Sequence, residues 1–304
     1  MDIKVDKQQN NTYKIDVKVE KEKVTEAYEE SLKHEAEKAE IKGFRKGKAP
    51  LSVVKENVDK SKLRGHALNR LLQKIYSQII NEYKLKPIVY PKFEIKEFDE
   101  GKDLTLVVTI VELPEIKTGD YKTAVRKIKL DSTSTDIASQ MQKANQEIIK
   151  TLLEVCNAGI SEVLVEEELN RMMSSLIDQT SKMGLTVDQY LQAVKKTADD
   201  IRKEYRDNAL ATLKADFIIT EISRLENIEV LDDEIEKTIQ AIPDLKSREE
   251  MSKSEHKMYI KAVLIKNKTL QKLAEYISKS DSKSEGSEKK SSEKQDENNK
   301  KWAI

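Results

Sequence analysis

Tyr13-Lys14-Ile15-Asp16-Val17-Lys18-Val19, followed by Glu20-Lys21-Glu22-Lys23-Val24-Thr25-Glu26-Ala27-Tyr28, changes its apolar period part-way along. Up to Val19 every second residue is apolar, which predicts a strand with one wet face. From about Lys21, Val24, Ala27, Tyr28, Leu32 and Ala36 fall on one helical stripe among Lys and Glu. Working backwards, Ile3 and Val5 alternate with polar residues, and Asn10-Asn11 offers a turn, so a first strand pair precedes the helix. Working forwards, a helix is expected over roughly 61–85, with Leu68, Leu71, Leu72, Ile75, Tyr76, Ile79 and Tyr83 as its apolar stripe. Pro87 and Pro91 close it, and strands return at Phe93–Ile95 and Leu104–Ile110 around the turn Asp99-Glu100-Gly101-Lys102-Asp103. Two strands before the helices and two after predict an α+β unit of about 110 residues, with helices packed on one face of an antiparallel sheet.

Between the two helical patterns lies Gly43-Phe44-Arg45-Lys46-Gly47-Lys48-Ala49-Pro50. Its glycines permit positive φ, and Pro50 suits the first turn of a short helix containing Leu51, Val53 and Val54. Lys42, Arg45, Lys46 and Lys48 surround Phe44 with positive charge. Two readings stay open for this loop. Either Phe44 is a bare apolar anchor steered by cations to an anionic partner, or it folds back onto the core of a solvated turn. Lys60, Arg64, Arg70 and Lys74 gather on one face of the following helix. They could extend such a surface, although a solvated helix face is the simpler reading.

Composition bounds the alternatives. The chain has 304 residues, with 55 basic and 55 acidic side chains, so any contact with nucleic acid must be local. Eight glycines, five prolines and 5% aromatics argue against a large all-β fold and for much helix. No apolar run is long enough to span a membrane, and Met1-Asp2-Ile3-Lys4-Val5 lacks the apolar core of a signal peptide. A single cysteine, Cys156, suits a reducing compartment. The expected location is the cytoplasm, away from membranes.

Beyond a linker expected over 114–134, no aromatic residue occurs between Tyr121 and Tyr190, and helical periodicity dominates. Ile160-Ser161-Glu162-Val163-Leu164 leads into Glu166, Glu167 and Leu169, while Ile228-Glu229-Val230-Leu231 leads into Asp232, Asp233, Glu234 and Ile235. In each copy an extended apolar segment precedes an acid-rich helix start, which complements the positive helix terminus. Two helical hairpins on one helical body are expected over 135–278. From 279 to 304 serine, lysine and glutamate dominate, a composition that cannot offset the entropy of ordering. That tail is read as disordered, with Trp302 exposed near its end.

Residues for catalysis are not apparent. His34, His66 and His256 stand alone on helices and read as surface residues, so no metal or cofactor is expected. Cys156 lies in an apolar run and reads as packing. The glycines at 43 and 47 lack both the Lys-Ser/Thr ending and the preceding strand of a phosphate loop.

The segment 43–50 resembles the signature of bacterial trigger factor, the ribosome-associated chaperone family. The strand ending at Val19, Val24 after it, Leu68-Asn69-Arg70-Leu71, and Leu113-Pro114-Glu115-Ile116 with Gly119-Asp120-Tyr121 agree with it. The resemblance is strong over 1–121 and weaker over 135–278, where the arms are similar to the family's C-terminal domain. It implies a ribosome-binding domain over 1–113, with Gly43, Phe44, Arg45, Lys46 and Lys48 contacting a ribosomal protein at the tunnel exit and nearby rRNA. It also implies an ATP-independent chaperone domain that shields nascent and unfolded chains. Apolar candidates for that cradle are Met172, Met173, Leu176 and Ile177 on one arm, and Ile235, Ile239, Ile242, Met258 and Leu264 on the other. The usual member carries a peptidyl-prolyl isomerase domain between these parts. Here the interval has only Gly159 and Gly184 as glycines, so that domain and its catalysis are expected to be missing. An unseen prolyl isomerase, or a helical ribosome-binding adaptor without client binding, are the alternatives; homodimerisation off the ribosome stays open.

Overall fold

The computed structural model describes the backbone of residues 1–129 and 137–299, and side chains over 1–129 and 139–277. The chain divides into two units, Met1–Pro114 and Glu115–Ile304.

In the first unit, strands β1 (Asp2–Lys7), β2 (Thr12–Val19), β3 (Lys92–Glu97) and β4 (Leu104–Val111) form one antiparallel sheet in the order β1-β2-β4-β3. Asn10 and Asn11 make the β1–β2 turn with φ of 57° and 52°, a left-handed conformation that asparagine tolerates. The expected alternation holds: Ile15, Val17 and Val19 of β2 and Leu104, Leu106, Val108 and Ile110 of β4 are all buried. Against them pack helices α1 (Lys21–Lys38) and α3 (Lys60–Tyr83), which contribute Val24, Ala27, Tyr28, Leu63, Ala67, Leu71, Ile75 and Ile79 to one continuous core. Asp59 caps α3 by accepting from the amides of Ser61 and Lys62, and Lys84 ends it at φ 52°. The short α2 (Leu51–Asn57) follows Pro50, which sits at the N-cap, one position before the first helical turn.

The second unit is helical: α4 (Tyr121–Arg126), α5 (Ile137–Val155), α6 (Glu162–Lys182), α7 (Val187–Val194), α8 (Ala198–Leu225), α9 (Asp232–Gln240), α10 (Leu245–Met251) and α11 (Ser254–Asn299). A small pair joins β5 (Ile116–Lys117) to β6 (Asn157–Ala158). Two arms are present, as the repeat implies. In one, α6 and α8 run side by side, tied by Arg206 to Glu162 at 2.8 Å and Arg202 to Glu166 at 3.0 Å. In the other, Val230, Ile235, Ile239 and Ile260 form a small core of their own. The helix of the first copy starts at Glu162, so Val163 and Leu164 are helical rather than extended. Ser161, whose hydroxyl accepts from the Val163 amide, begins the helix there.

Residues 115–129 correct the linker expected over 114–134. Tyr121 and Val125 are buried, and the Tyr121 hydroxyl donates to Glu226 at 2.6 Å, so α4 is part of the helical body. A short apolar element in a charged stretch reads as linker until its partners are known. Residues 130–136, the rest of that interval, lie outside the described residues. The backbone of α11 continues to Asn299, through the segment whose composition reads as disordered. Its side chains beyond Ile277, and residues 300–304 with Trp302, lie outside the described residues.

Candidate functional site

The basic loop leaves α1 at Ala39 and is closed by its own backbone. The Gly47 amide donates to the Ala39 carbonyl at 3.1 Å, Phe44 to Ile41 at 3.0 Å and Lys48 to Arg45 at 2.9 Å. Gly43 and Gly47 take φ of 92° and 71°. Gly47 is also confined in space, because a Cβ there would stand 2.6 Å from the Glu37 carbonyl oxygen, whereas around Gly43 there is open room. The loop is therefore a folded hook pinned at its base.

Phe44 does not fold back onto the core. Its ring is absent from the core, and the residue is 44% exposed. Arg45 and Lys48 are exposed and make no ion pair among the described residues. Lys46 is different: its Nζ lies 2.6 Å from Glu40, which pulls that carboxyl below its usual range through the hydrogen bond and the charge of Lys46. Behind the hook, Lys38–Lys42, Glu35, Val54, Asn57 and Val58 line an open cleft of about 360 Å³. Three of the four cations on the basic face of α3 are engaged elsewhere. Arg70 and Lys74 both engage Glu30, at 2.8 and 3.3 Å, and Arg64 donates to the Phe98 carbonyl at 2.6 Å while its guanidinium lies over the Phe98 ring.

On the arms the structure separates the apolar candidates. Leu176 is buried, and Ile235 and Ile239 belong to the small core of the second arm, so these residues hold the arms together. A stripe at helical spacing does not reveal which of its members meet a neighbouring helix. Met172, Met173 and Ile242 are half-buried, and Leu264 packs against that small core. Ile177 and Met258 remain exposed, at 48% and 75%. Further exposed residues were not legible as such: Met183 and Leu185 at the turn from α6 to α7, Val194 at the end of α7, and Leu231, Leu245 and Tyr259 on the second arm. Their signal is weak because most sit next to a cap or turn, while Tyr259 adjoins Met258 inside α11.

The chemistry of the remaining groups is structural, with one correction. Burial pushes the Cys156 thiol up to about 11, and its Sγ donates to the Thr118 carbonyl at 3.2 Å, which makes it a poor nucleophile. The histidines are not all isolated: His34 and Glu35 of α1 meet His66 of α3, their donor atoms within 4.8 Å of one another. The two helices are far apart in sequence, so only their packing creates the group. No helix among the described residues is long and apolar enough to cross a membrane.

Two family models match this chain. The bacterial trigger factor protein model matches residues 1–144, and the model of the bacterial trigger factor C-terminus matches residues 127–275. The chain belongs to the bacterial trigger factor family. A trigger factor of Clostridium botulinum (strain Loch Maree / Type A3) is 30% identical over 154 residues, covering 50% of this chain and 36% of the relative. One of Clostridium tetani (strain Massachusetts / E88) is 31% identical over 147 residues, 48% of this chain and 34% of the relative. The matched region thus spans about a third of the length of these relatives. A solved chain from work on promiscuous substrate recognition in folding and assembly by the trigger factor chaperone superposes with a TM-score of 0.62. At 14% identity, over 91% of this chain and 100% of the other, it supports the shared family fold.

Proposed function

We propose that this chain is an ATP-independent chaperone that docks on the ribosome through the hook at 43–50 and shelters unfolded polypeptide on its helical arms. The observation that carries the docking is the hook itself. It is a pinned loop with a half-exposed phenyl ring, flanked by the exposed cations Arg45 and Lys48. Cations speed encounter with an anionic particle, and an aromatic ring with little entropy to lose supplies the desolvated anchor. Lys46 contributes after exchanging Glu40 for the partner, and Gly43 supplies the turn that presents Phe44. Partners of this chemistry are a ribosomal protein at the tunnel exit and adjacent rRNA.

Sheltering draws on the exposed apolar residues of the arms, of which Met258, Leu245, Tyr259, Leu231 and Met183 are the most exposed, with Ile177 beside them. Flexible methionines re-pack around varied sequences, which suits clients without a common motif. Met172 and Met173 can join them where clients reach the half-buried face of α6. The reading that the family's isomerase domain is missing between the two parts draws on the family matches, which overlap at residues 127–144. On this reading the chain shelters without catalysing prolyl isomerisation, in the cytoplasm.

Co-sedimentation with ribosomes tests the docking. The combined variant Phe44→Ala, Arg45→Ala, Lys46→Ala should lose pelleting at moderate salt and retain its circular dichroism and melting profile. Undiminished pelleting would overturn the docking. Sheltering is tested by aggregation of an unfolded model protein, which the chain should suppress without nucleotide. A requirement for ATP, or no suppression at all, would overturn that part.

A further inference from the structure

We propose that His34, Glu35 and His66 form a binding site for a divalent transition-metal ion of the zinc class, bridging α1 and α3 behind the hook. This goes beyond the chaperone reading and does not depend on it. Ser31, His34 and Glu35 stand at i, i+3 and i+4 on α1 and so share one helix face, to which the packing of α3 brings His66. The Glu35 Oε1 lies 3.4 Å from Nδ1 of His66 and 4.0 Å from Nδ1 of His34. Ligand atoms bound at about 2.1 Å in a tetrahedral zinc site are about 3.4 Å apart, so one pair already has that spacing. The other donors would have to close on it by side-chain rotation, and the carboxylate and both rings are partly exposed.

A second observation points to the same place. Ser31 is 98% buried by the complement of its 2% exposure, and its hydroxyl has no hydrogen-bond partner among the described residues. Such a group normally finds one, because leaving it unpaired costs about 1–3 kcal/mol. Ser31, His34 and His66 line one cavity of about 500 Å³, roomy enough for an ion and its waters, while Glu35 lines the cleft behind the hook. A metal-bound water in that cavity would give the Ser31 hydroxyl its missing partner. Two imidazoles and one carboxylate leave a coordination position for that water, and nitrogen donors select zinc-class ions over magnesium or calcium. Arg70 and Lys74 also line the cavity, but both are engaged by Glu30. Their hydrogen bonds hold the Glu30 carboxyl below its usual range, and that one carboxylate answers one of the two charges.

Occupancy would tie two helices of one core together and stabilise the folded unit by mass action. Calorimetric titration of the full chain with Zn²⁺ should give one site per chain, and thermal scanning a concentration-dependent rise in melting temperature. His34→Gln and His66→Gln should each weaken binding by more than the 10–100-fold that loss of an outer-shell partner typically costs. His256→Gln and Cys156→Ser should leave it unchanged, and Mg²⁺ at equal concentration should not compete. Cobalt substitution gives a second readout, a visible absorption band that vanishes in His66→Gln. Binding unaffected by both His34→Gln and His66→Gln would overturn the proposal. So would no binding at all, which would leave Glu35 as a plain ion-pair partner of His66.

Discussion

The two ends of this molecule bury their apolar side chains very differently. In the first unit a four-stranded sheet and two helices enclose a continuous core, with Ile15, Val24, Ala67, Ile75, Ile79, Leu104, Leu106 and Val108 at or below 1% exposure. In the second arm of the helical unit the corresponding core consists of Val230, Ile235, Ile239 and Ile260, with Met251, Leu264 and Ile265 at its margin. A sheet covered by helices hides a whole face. The short α9 and α10 packed on the start of α11 hide only a narrow stripe, so residues such as Leu231, Leu245, Met258 and Tyr259 stay in solvent. The difference teaches that exposure on the arm follows from its architecture, and that the arm holds its shape by local devices. Glu234 shows one: it accepts from the Leu231 amide at 2.9 Å and receives Lys268 at 2.7 Å. The hydrogen bond from Lys268 comes first among the causes that keep its carboxyl below the usual range.

The contrast can be broken most sharply in the cores. Ile75→Ala opens a cavity in a surrounding with little room to collapse and should cost about 3–5 kcal/mol, toward the upper end for such truncations. Ile239→Ala should cost about 2 kcal/mol, the lower end, because a small core at the margin of the arm can close over the gap. Hydrogen exchange read separately over 60–83 and 232–240 checks both; equal losses would refute the contrast.

Next in size is the knot where the helical body is strongest. Glu226, at the C-terminal cap of α8, receives Tyr121 at 2.6 Å, Lys122 at 2.8 Å, Tyr276 at 3.0 Å and Lys272 at 3.1 Å, and its side chain is only 6% exposed. Burial by itself would raise its pKa, yet the hydrogen bonds from Lys122, Tyr121, Lys272 and Tyr276 outweigh it and bring the group down to about 2. Burial, reinforced by the same bond to Glu226, pushes the Tyr121 hydroxyl up. The carboxylate's pKa is lower folded than unfolded. Its stabilisation is therefore complete above the ordinary value of 4.5 and is lost as pH falls from there toward about 2. Glu226→Gln should cost about 1–3 kcal/mol at neutral pH and flatten the acid dependence of the melting temperature over that window. An unchanged acid profile would remove Glu226 from its role as the tie between α4, α8 and α11.

The smallest effect sharpens the comparison at the hook, an exposed part of the first unit. Gly47→Ala meets both an unfavourable φ and the Glu37 carbonyl, whereas Gly43→Ala meets only the unfavourable φ. Gly47→Ala should cost about 1–3 kcal/mol and Gly43→Ala about 1 kcal/mol. Thermal melts give the costs, and ribosome pelleting should fall more for Gly47→Ala; the reverse order would mean that Gly47 does not pin the loop.

Legibility followed the range of the interaction. The alternation of Ile15, Val17 and Val19, the stripe of Leu71, Ile75 and Ile79, and the glycine-bounded hook were all readable, because each depends on neighbours a few residues away. Tyr121 was misplaced in a linker because its reason for being buried, Glu226, lies more than a hundred residues on. Leu176, Ile235 and Ile239 were indistinguishable from Met258 and Ile177, since apolar character marks a residue as able to pack without naming what will pack on it.

The chain's own order of residues determined the α+β first unit, the helical arms and a cationic loop around Phe44, for periodicity and turn chemistry act locally. Tertiary structure alone decided that Phe44 stays out of the core, that Lys46 is paired with Glu40 while Arg45 is not, and which arm residues face solvent. It alone placed His66 beside His34 and Glu35. The physical reason is that burial and charge pairing are properties of two surfaces meeting, and a sequence specifies one surface at a time.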